Sequence, residues 1–196
     1  MARIRRNSLT LDKLRFIKGR LYGREVEEKT LQDAYRKVVN STNSDDNTFT
    51  REMVMVTGNS GAGKSALVEN LSTRVKKRGD YYISGKFDLL ERSMPYSALI
   101  DALSDLPKQM EGDIGGELQQ KIGRDVCGVI VNLVPALKEV MFPGEEDVDL
   151  PETEHHNMGS VESRNQFSFA LRTFIRKLCE EDGKNMVLFV DDLQCE

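Results

Sequence analysis

One loop of this chain has the residue types and the spacing that phosphate chemistry requires. Its sequence, GNSGAGKS, fits the pattern G-x-x-x-x-G-K-[ST] at every fixed position. Gly58, Gly61 and Gly63 allow backbone N–H groups to approach an anion, because no side chain blocks them. Lys64 adds a point charge for the outer phosphates, and the Ser65 hydroxyl is a ligand for Mg²⁺. The loop therefore predicts a site for a nucleoside triphosphate.

The flanking residues supply the elements that must position this loop. Met53–Val56 is a short apolar run, which predicts a buried strand leading into the loop. A helix is predicted to begin near Lys64, and it would direct its free N–H groups and the positive end of its dipole at the anion. Apolar residues recur at helical spacing along it: Ala66, Leu67, Val68, Leu71 and Val75.

The second chemical signal lies near the C-terminal end of the sequence. Met186–Val190 is predicted to be a buried strand, and Asp191 and Asp192 follow it directly. Ligands of open α/β sheets bind beyond the carboxyl ends of the strands. Asp191 is therefore expected to hold, directly or through water, the Mg²⁺ that Ser65 also binds, and Asp192 to orient or deprotonate an attacking water.

Composition and length set the broad class. The 196 residues, 39% hydrophobic and 31% charged, predict one globular domain, or one domain with an extension. Three widely spaced cysteines, Cys127, Cys179 and Cys195, favour neither a disulfide framework nor a metal site. They indicate a reducing compartment, the cytoplasm, with the nucleus as the alternative. No apolar run is long enough to predict a membrane span.

Charge is distributed unevenly along the chain. Residues 1–24 carry a balance of +7 within a total of −4, so residues 1–20 are assigned to a basic N-terminal arm and residues 21–196 to the domain. Within that domain, residues 143–160 contain six acids and no Lys or Arg, which predicts a mobile, solvated acidic loop. The overall negative charge makes nucleic acid an unexpected partner, although the arm leaves that alternative open.

The remaining pattern is mostly helical. A helix of about fifteen residues is predicted after Leu21–Glu25, and a strand is predicted to begin at Tyr81 and to continue to Phe87. Leu99, Leu103, Leu106 and Met110 fit one face of a single helix. The stretch 112–116 is expected to interrupt it, and Leu118–Leu137 to form one or two helices broken near Gly128. A further helix is predicted over Val161–Glu180, with a core stripe formed by Phe167, Leu171, Phe174 and Leu178.

Five segments together resemble a known ATPase family. They are LYGRE, VTGNSGAGKSALV, YYISGKFD, RSMPYSALIDAL and VLFVDDLQ. They are similar to the AAA-type ATPase module of STAND signalling proteins, also described as origin-recognition-complex-like, and particularly to the version in large proteins with kinase-like and sensor histidine kinase parts. The resemblance covers about Leu21 to Gln194 and implies an α/β P-loop NTPase fold, a three-layer sandwich with a parallel sheet.

The resemblance also implies functional roles. The family would bind ATP at residues 58–66 and Mg²⁺ at Ser65 and Asp191, with Asp192 polarising water. Gly23 and Arg24 match the family's opening motif, which lies near the nucleotide base. ATP binding and slow hydrolysis would then act as a conformational switch in signal transduction. The implied partners are other domains of a longer parent chain or separate signalling proteins. The predicted cofactor-binding residues are Gly23, Arg24, Gly58, Asn59, Ser60, Gly61, Ala62, Gly63, Lys64, Ser65 and Ala66, with Lys64 and Asp192 as the catalytic pair.

The sequence departs from the family pattern at its end. Cys195 stands where the family usually has Trp, and the family's strand order places a later strand between the P-loop strand and the Asp-Asp strand. We therefore expect a fragment, truncated after the Asp-Asp strand, that binds nucleotide weakly and needs the missing part to hydrolyse it. Two alternatives stay open: an origin-recognition-like DNA-associated ATPase and a small-molecule kinase with the same P-loop.

Overall fold

A computed structural model describes residues 23–42, 50–87, 96–111, 114–145 and 161–192. The basic arm and residues 146–160 of the acidic loop lie outside the described residues. The elements, in chain order, are α1 (Glu25–Thr42), α2 (Lys64–Arg78), β1 (Tyr81–Lys86), α3 (Ser97–Ser104), a 3₁₀ turn (Leu106–Gln109), α4 (Ile114–Ile122), α5 (Arg124–Leu133), a second 3₁₀ turn (Pro135–Leu137), α6 (Lys138–Met141), α7 (Val161–Asp182) and β2 (Met186–Asp191).

The two described strands form a parallel pair. Tyr81 of β1 lies opposite Met186 of β2, and Lys86 lies opposite Asp191, so both carboxyl ends meet at one edge. The parallel sheet and the strand-helix alternation agree with the predicted α/β class. Helix α3 packs closely on β1 at Gly85, where an added Cβ would lie 1.7 Å from the carbonyl oxygen of Ala98.

The prediction of a buried strand at Met53–Val56 is wrong. Residues 50–57 form no strand, and the exposed fractions of Met53, Val54 and Met55 are 90%, 42% and 69%. A strand needs a neighbour for its N–H and C=O groups. Within the described residues, β2 pairs only with β1, so no strand pairs with this segment. For the same reason β2 is less buried than predicted, with Leu188 41% exposed.

The main hydrophobic core lies among the helices. The stripe predicted on α7 is confirmed: Phe167, Phe174 and Leu178 are fully buried, and Leu171 packs against them while partly buried. Helices α4 and α5 pack on this stripe, and β1 joins the same core through Tyr81 and Ile83. Much of the apolar surface that the chain removes from water is therefore buried away from the glycine-rich loop.

Three predicted boundaries in the helical stretch are wrong. The stripe from Leu99 to Met110 is not one helix, because Pro107 disfavours the α conformation of the residue before it and removes a donor. The break expected near Gly128 falls at Gly123, whose φ is +87°. The stretch 112–116 does not interrupt the helices throughout, since α4 begins at Ile114.

A smaller cluster supports the glycine-rich loop. Leu67, Val68, Leu71 and Val75 of α2 pack against Leu31 of α1. This confirms the predicted apolar face of α2, although Ala66 is exposed. The helix predicted after Leu21–Glu25 is also present: α1 extends over 18 residues, against the predicted length of about fifteen.

A polar network joins α1 to the starts of both strands. Asp80 is buried, with its side chain 5% exposed. It accepts hydrogen bonds from the Tyr35 hydroxyl and from the backbone N–H of Asn185, the latter at 2.9 Å. Arg78 completes the set with a Nε–Oδ2 distance of 3.2 Å. The network thus gives the Asp80 carboxylate hydrogen-bond and ionic partners, without which its burial would cost free energy. Among the described residues, no helix is both long and apolar enough to cross a membrane.

Candidate functional site

The glycine-rich loop turns sharply between residues 50–57 and α2. Gly61 and Gly63 have φ values of +78° and +82°, in the left-handed region that L side chains rarely adopt. An added Cβ at either position would meet no atom within 4 Å, so the backbone conformation, rather than space, explains glycine there. The backbone N–H of Ala62 donates to the Asn59 carbonyl oxygen at 3.1 Å and closes the turn.

The loop delivers the chain directly into the N-terminus of α2. Gly63 caps this helix without a side-chain hydrogen bond, and the first turn contains no acidic residue. The N–H groups of the first turn and the positive end of the helix dipole are therefore not neutralised by a carboxylate of that turn. Most of residues 58–66 are exposed. This is an arrangement that binds phosphate groups.

Lys64 folds back across the loop that precedes it. Its Nζ donates to the carbonyl oxygens of Gly58 and Asn59 at 3.0 and 3.2 Å. Both acceptors are neutral, and a charged phosphate oxygen forms a stronger hydrogen bond with an ammonium group. Lys64 therefore lies beside the loop that would hold the anion. The two carbonyl oxygens that it contacts are weaker acceptors than the phosphate oxygen that it is predicted to bind.

Ser65 and Asp191 meet across 126 residues of sequence. The Ser65 hydroxyl donates to Asp191 Oδ2 at 2.9 Å. Ser65 is in the first turn of α2, and Asp191 is the last residue of β2. The start of the helix therefore lies at the carboxyl end of the strand. Hydroxyl and carboxylate oxygens are the hard ligands that Mg²⁺ prefers. The donor set therefore fits Mg²⁺.

The pair would supply only part of a Mg²⁺ coordination shell. Over the ranges that the structure describes, His, Cys, Asp and Glu form no group of three or more able to hold a metal ion. Mg²⁺ is usually bound through one or two carboxylates together with water and substrate phosphates. The Ser65–Asp191 pair at the glycine-rich loop fits this mode of binding better than it fits a metal site built entirely of protein ligands.

Asp192 is held by two interactions. Its φ is +55°, uncommon for a residue other than glycine, and its backbone N–H donates to Asp191 Oδ1 at 3.0 Å. Its carboxylate pairs with Lys86 Nζ at 3.1 Å. Sequence reasoning missed Lys86. A signal was present, because Lys86 lies in a stretch that was predicted to be a strand, and parallel strands bring their carboxyl ends together.

Arg24 contacts the loop, and Gly23 precedes it in the chain. One guanidinium nitrogen of Arg24 donates to the Ala62 carbonyl oxygen at 3.1 Å, and the other pairs with Glu27 at 2.9 Å. A backbone hydrogen bond and the Arg24 guanidinium hold the pKa of Glu27 below its usual value. The Gly23 N–H donates to the Glu25 carboxylate at 3.2 Å. The start of α1 is thus tied to the glycine-rich loop.

Tyr82 of β1 belongs to the smaller hydrophobic cluster that supports the glycine-rich loop. Burial, with smaller effects from the charges of Glu69 and Asp191, raises its pKa to about 12. The side chain of Gln109 accepts from the Tyr82 N–H at 3.0 Å and donates to its carbonyl at 2.8 Å. This amide occupies the outer edge of β1 at that residue, where a further strand would otherwise pair.

Comparison with known proteins gives one positive result. The family model described as the AAA ATPase domain matches residues 20–195. No curated protein and no solved structure matches the chain significantly. The matched range includes the glycine-rich loop, both described strands and the two acids.

Proposed function

Because the chain belongs to the AAA ATPase domain family, we propose that it binds ATP together with Mg²⁺ and works as a nucleotide-controlled switch in signal transduction. The observation that carries the proposal is the 2.9 Å hydrogen bond between Ser65 and Asp191. It brings a helix start suited to phosphates and a carboxylate suited to Mg²⁺ to the same point.

Each site residue has a role in this proposal. The backbone N–H groups of residues 58–66 bind the phosphates, and Lys64 binds the outer ones as a point charge. Gly23 and Arg24 lie beside the nucleotide. Ser65 and Asp191 hold the Mg²⁺, which would neutralise charge on the phosphates. The preference for ATP over GTP rests on membership of the family.

Hydrolysis is the second step of the proposal. Asp192 orients an attacking water and accepts its proton, which requires an ionised carboxylate. Lys86 Nζ lies 3.1 Å from that carboxylate and holds it in place at the end of the strand. Turnover is expected to be slow, as a switch requires, because the bound nucleotide must persist long enough to change a partner's affinity.

The switch is supported by the contact between Arg24 and Ala62. Phosphate binding at the loop would change the environment of the Ala62 carbonyl, and Arg24 would carry that change to α1. Helix α1 is packed on α2 mainly through Leu31 and the Arg74–Glu28 ion pair, whose nitrogen and oxygen are 3.1 Å apart. We expect MgATP to slow amide hydrogen exchange in the first turns of α1 as well as in the loop.

ATP binding is tested with Lys64→Ala and a matched control, Lys77→Ala. Lys77 lies in the last turn of the same helix, at the end away from the loop. A charge-assisted hydrogen bond contributes about 1.5–3 kcal/mol, so Lys64→Ala should weaken MgATP binding by about 10- to 150-fold, measured by calorimetry. The control should bind as the unmodified chain does. Equal affinities for all three proteins would refute the proposed site.

A further inference from the structure

Two neighbouring acids at the carboxyl end of β2 have partners of different charge. Asp191 accepts a hydrogen bond from the neutral Ser65 hydroxyl at 2.9 Å, whereas the carboxylate of Asp192 lies 3.1 Å from the Lys86 ammonium group. The charge of Asp191 is therefore available to a cation such as Mg²⁺. The charge of Asp192 is instead offset within the protein, so the two acids are not equivalent.

The backbone of Lys86 is fixed on both sides. One residue earlier, Gly85 packs so closely on α3 that an added Cβ would lie 1.7 Å from the Ala98 carbonyl oxygen. One residue later, the N–H of Phe87 donates to the carbonyl oxygen of Asp191 at 3.2 Å, so β1 still pairs with β2 beyond Lys86. Lys86 lies opposite Asp191 in the register of the strands. Its side chain therefore starts beside the acid pair, at the spacing of neighbouring strands, about 4.8 Å.

Stability alone gives little reason for the Lys86–Asp192 pair. The two side chains are 67% and 49% exposed, so water screens their attraction, and such pairs contribute little to the free energy of unfolding. Asp192 also adopts a φ of +55°, which is uncommon for a residue other than glycine. A strained residue with a weakly stabilising partner is better explained by its position beside the glycine-rich loop than by the fold.

Two other cations at the glycine-rich loop have different partners. Lys64 Nζ donates to two carbonyl oxygens of the loop itself, at 3.0 and 3.2 Å. Arg24 pairs with the Glu27 carboxylate at 2.9 Å, which largely offsets its charge. In the part of the chain that the structure describes, the charge of Asp192 is therefore left to Lys86.

The charge of Asp192 matters most for the outermost phosphate of a nucleotide. A nucleoside triphosphate differs from the diphosphate by this group, which adds negative charge. In the proposed function Asp192 orients the water that attacks the group, which requires its carboxylate within hydrogen-bond reach of that water. Two negative groups so close to each other repel, so an unpaired Asp192 would oppose the triphosphate more than the diphosphate. The Lys86 ammonium group reduces this repulsion.

We propose that Lys86 determines the preference of the site for a nucleoside triphosphate over the diphosphate, by offsetting the charge of Asp192. The inference rests on the proposed function, because it takes Asp192 to act at the outermost phosphate. Lys86 is a specificity-determining residue that acts through the Asp192 carboxylate. The chain thereby keeps an acid beside the attacking water without losing affinity for the triphosphate. In a nucleotide-controlled switch, this preference sets which nucleotide-bound state is populated.

Calorimetry at saturating Mg²⁺ measures the preference directly. The two probes are ADP and the ATP analogue in which an NH group replaces the oxygen between the two outer phosphates, so that hydrolysis does not interfere. Lys86→Met removes the charge, and it should lower the ratio of triphosphate to diphosphate affinity by about three- to tenfold, mainly through weaker triphosphate binding. Lys86→Arg keeps the charge and should keep the ratio of the unmodified chain.

A double variant separates the effect of charge from damage to the sheet. Asp192→Asn removes the charge that Lys86 offsets. Combined with Lys86→Met, it should therefore restore the ratio to at least within about twofold of the unmodified chain. Disturbed packing at the end of β1 would not be repaired by a second substitution. A double variant no better than Lys86→Met would overturn the proposal.

The matched control is Lys108→Met. Lys108 is exposed and pairs with the Asp105 carboxylate at 2.7 Å, but it lies in the first 3₁₀ turn, near the opposite end of β1. This substitution should leave both affinities unchanged. Absence of binding of either nucleotide to the unmodified chain would overturn the proposed function, and this inference with it. Binding of both nucleotides with the same ratio in the unmodified chain and in Lys86→Met would overturn this inference alone.

Discussion

The helical region, α3 to α7, and the nucleotide region, residues 23–42 and 50–78, bury their apolar residues to different extents. In the helical region Leu118, Ile130 and Phe174 are fully buried. In the nucleotide region Met53 is 90% exposed. The chain therefore separates its stabilising core from its candidate site.

The separation has a physical reason. An anion can reach backbone N–H groups only where no side chains cover them, so the glycine-rich loop cannot be buried as the helices are. The cost is weak local packing, because six buried residues make up the core of the cluster beneath the loop. We expect the nucleotide region to open at lower free energy than the helical region, as binding elements commonly do.

Truncation of one large side chain in each region should show the greatest contrast. Phe174→Ala removes a fully buried ring from the helical core and should lower the free energy of unfolding by about 3–5 kcal/mol. Met53→Ala removes a side chain that is 90% exposed and should change it by less than about 0.5 kcal/mol. Denaturant titration measures both. Comparable losses for the two variants would show that the regions are not separated as described.

Two glycines sharpen the contrast, because each excludes alanine for a different reason. At Gly115 in α4 an added Cβ would lie 1.8 Å from the Val140 carbonyl oxygen, so Gly115→Ala must push α4 from α6, at about 1–3 kcal/mol or more. At Gly61 an added Cβ meets nothing, but a φ of +78° costs a side chain about 1–2 kcal/mol.

The two variants should also differ in function. Gly61→Ala should weaken MgATP binding more than Gly115→Ala does, although it destabilises the fold less. Thermal unfolding gives the stability of each variant, and calorimetry with MgATP gives its affinity for the nucleotide. If Gly115→Ala has the larger effect on nucleotide affinity at a temperature where both proteins are folded, the regions are coupled more tightly than we infer.

A smaller effect is expected where the regions join. Tyr35→Phe removes the hydroxyl that α1 donates to Asp80, while Arg78 and Asn185 still partner that carboxylate. Loss of one hydrogen bond of this kind should lower the free energy of unfolding by about 1 kcal/mol. Hydrogen exchange should quicken in α1 and not in α7. Faster exchange in both helices would mean that the network supports the whole fold.

The sequence was sufficient where local chemistry decides the structure. The loop, α2, the α7 stripe and both described strands were predicted because glycine spacing and apolar periodicity fix them within a few residues. The sequence also predicted that Asp191 lies near Ser65, because ligands of open α/β sheets bind beyond the carboxyl ends of the strands.

The sequence was insufficient where structure depends on a distant neighbour. Val54 and Met55 have strand propensity, but a strand exists only if another strand accepts its hydrogen bonds. The Gly115 contact with Val140 and the Lys86 pair with Asp192 likewise join residues far apart in the chain. Periodicity within one segment contains no information on such pairs.

The central claim is that Ser65 and Asp191 form one magnesium site at the nucleotide. The direct measurement is the affinity for ATP with and without Mg²⁺, determined for the unmodified chain, Ser65→Ala, Asp191→Ala and the double variant. We predict that Mg²⁺ tightens ATP binding to the unmodified chain by about tenfold or more, that either substitution removes most of this gain, and that the double variant is little worse than either single one. Full Mg²⁺ stimulation in either single variant, or losses that simply add in the double variant, would contradict the claim.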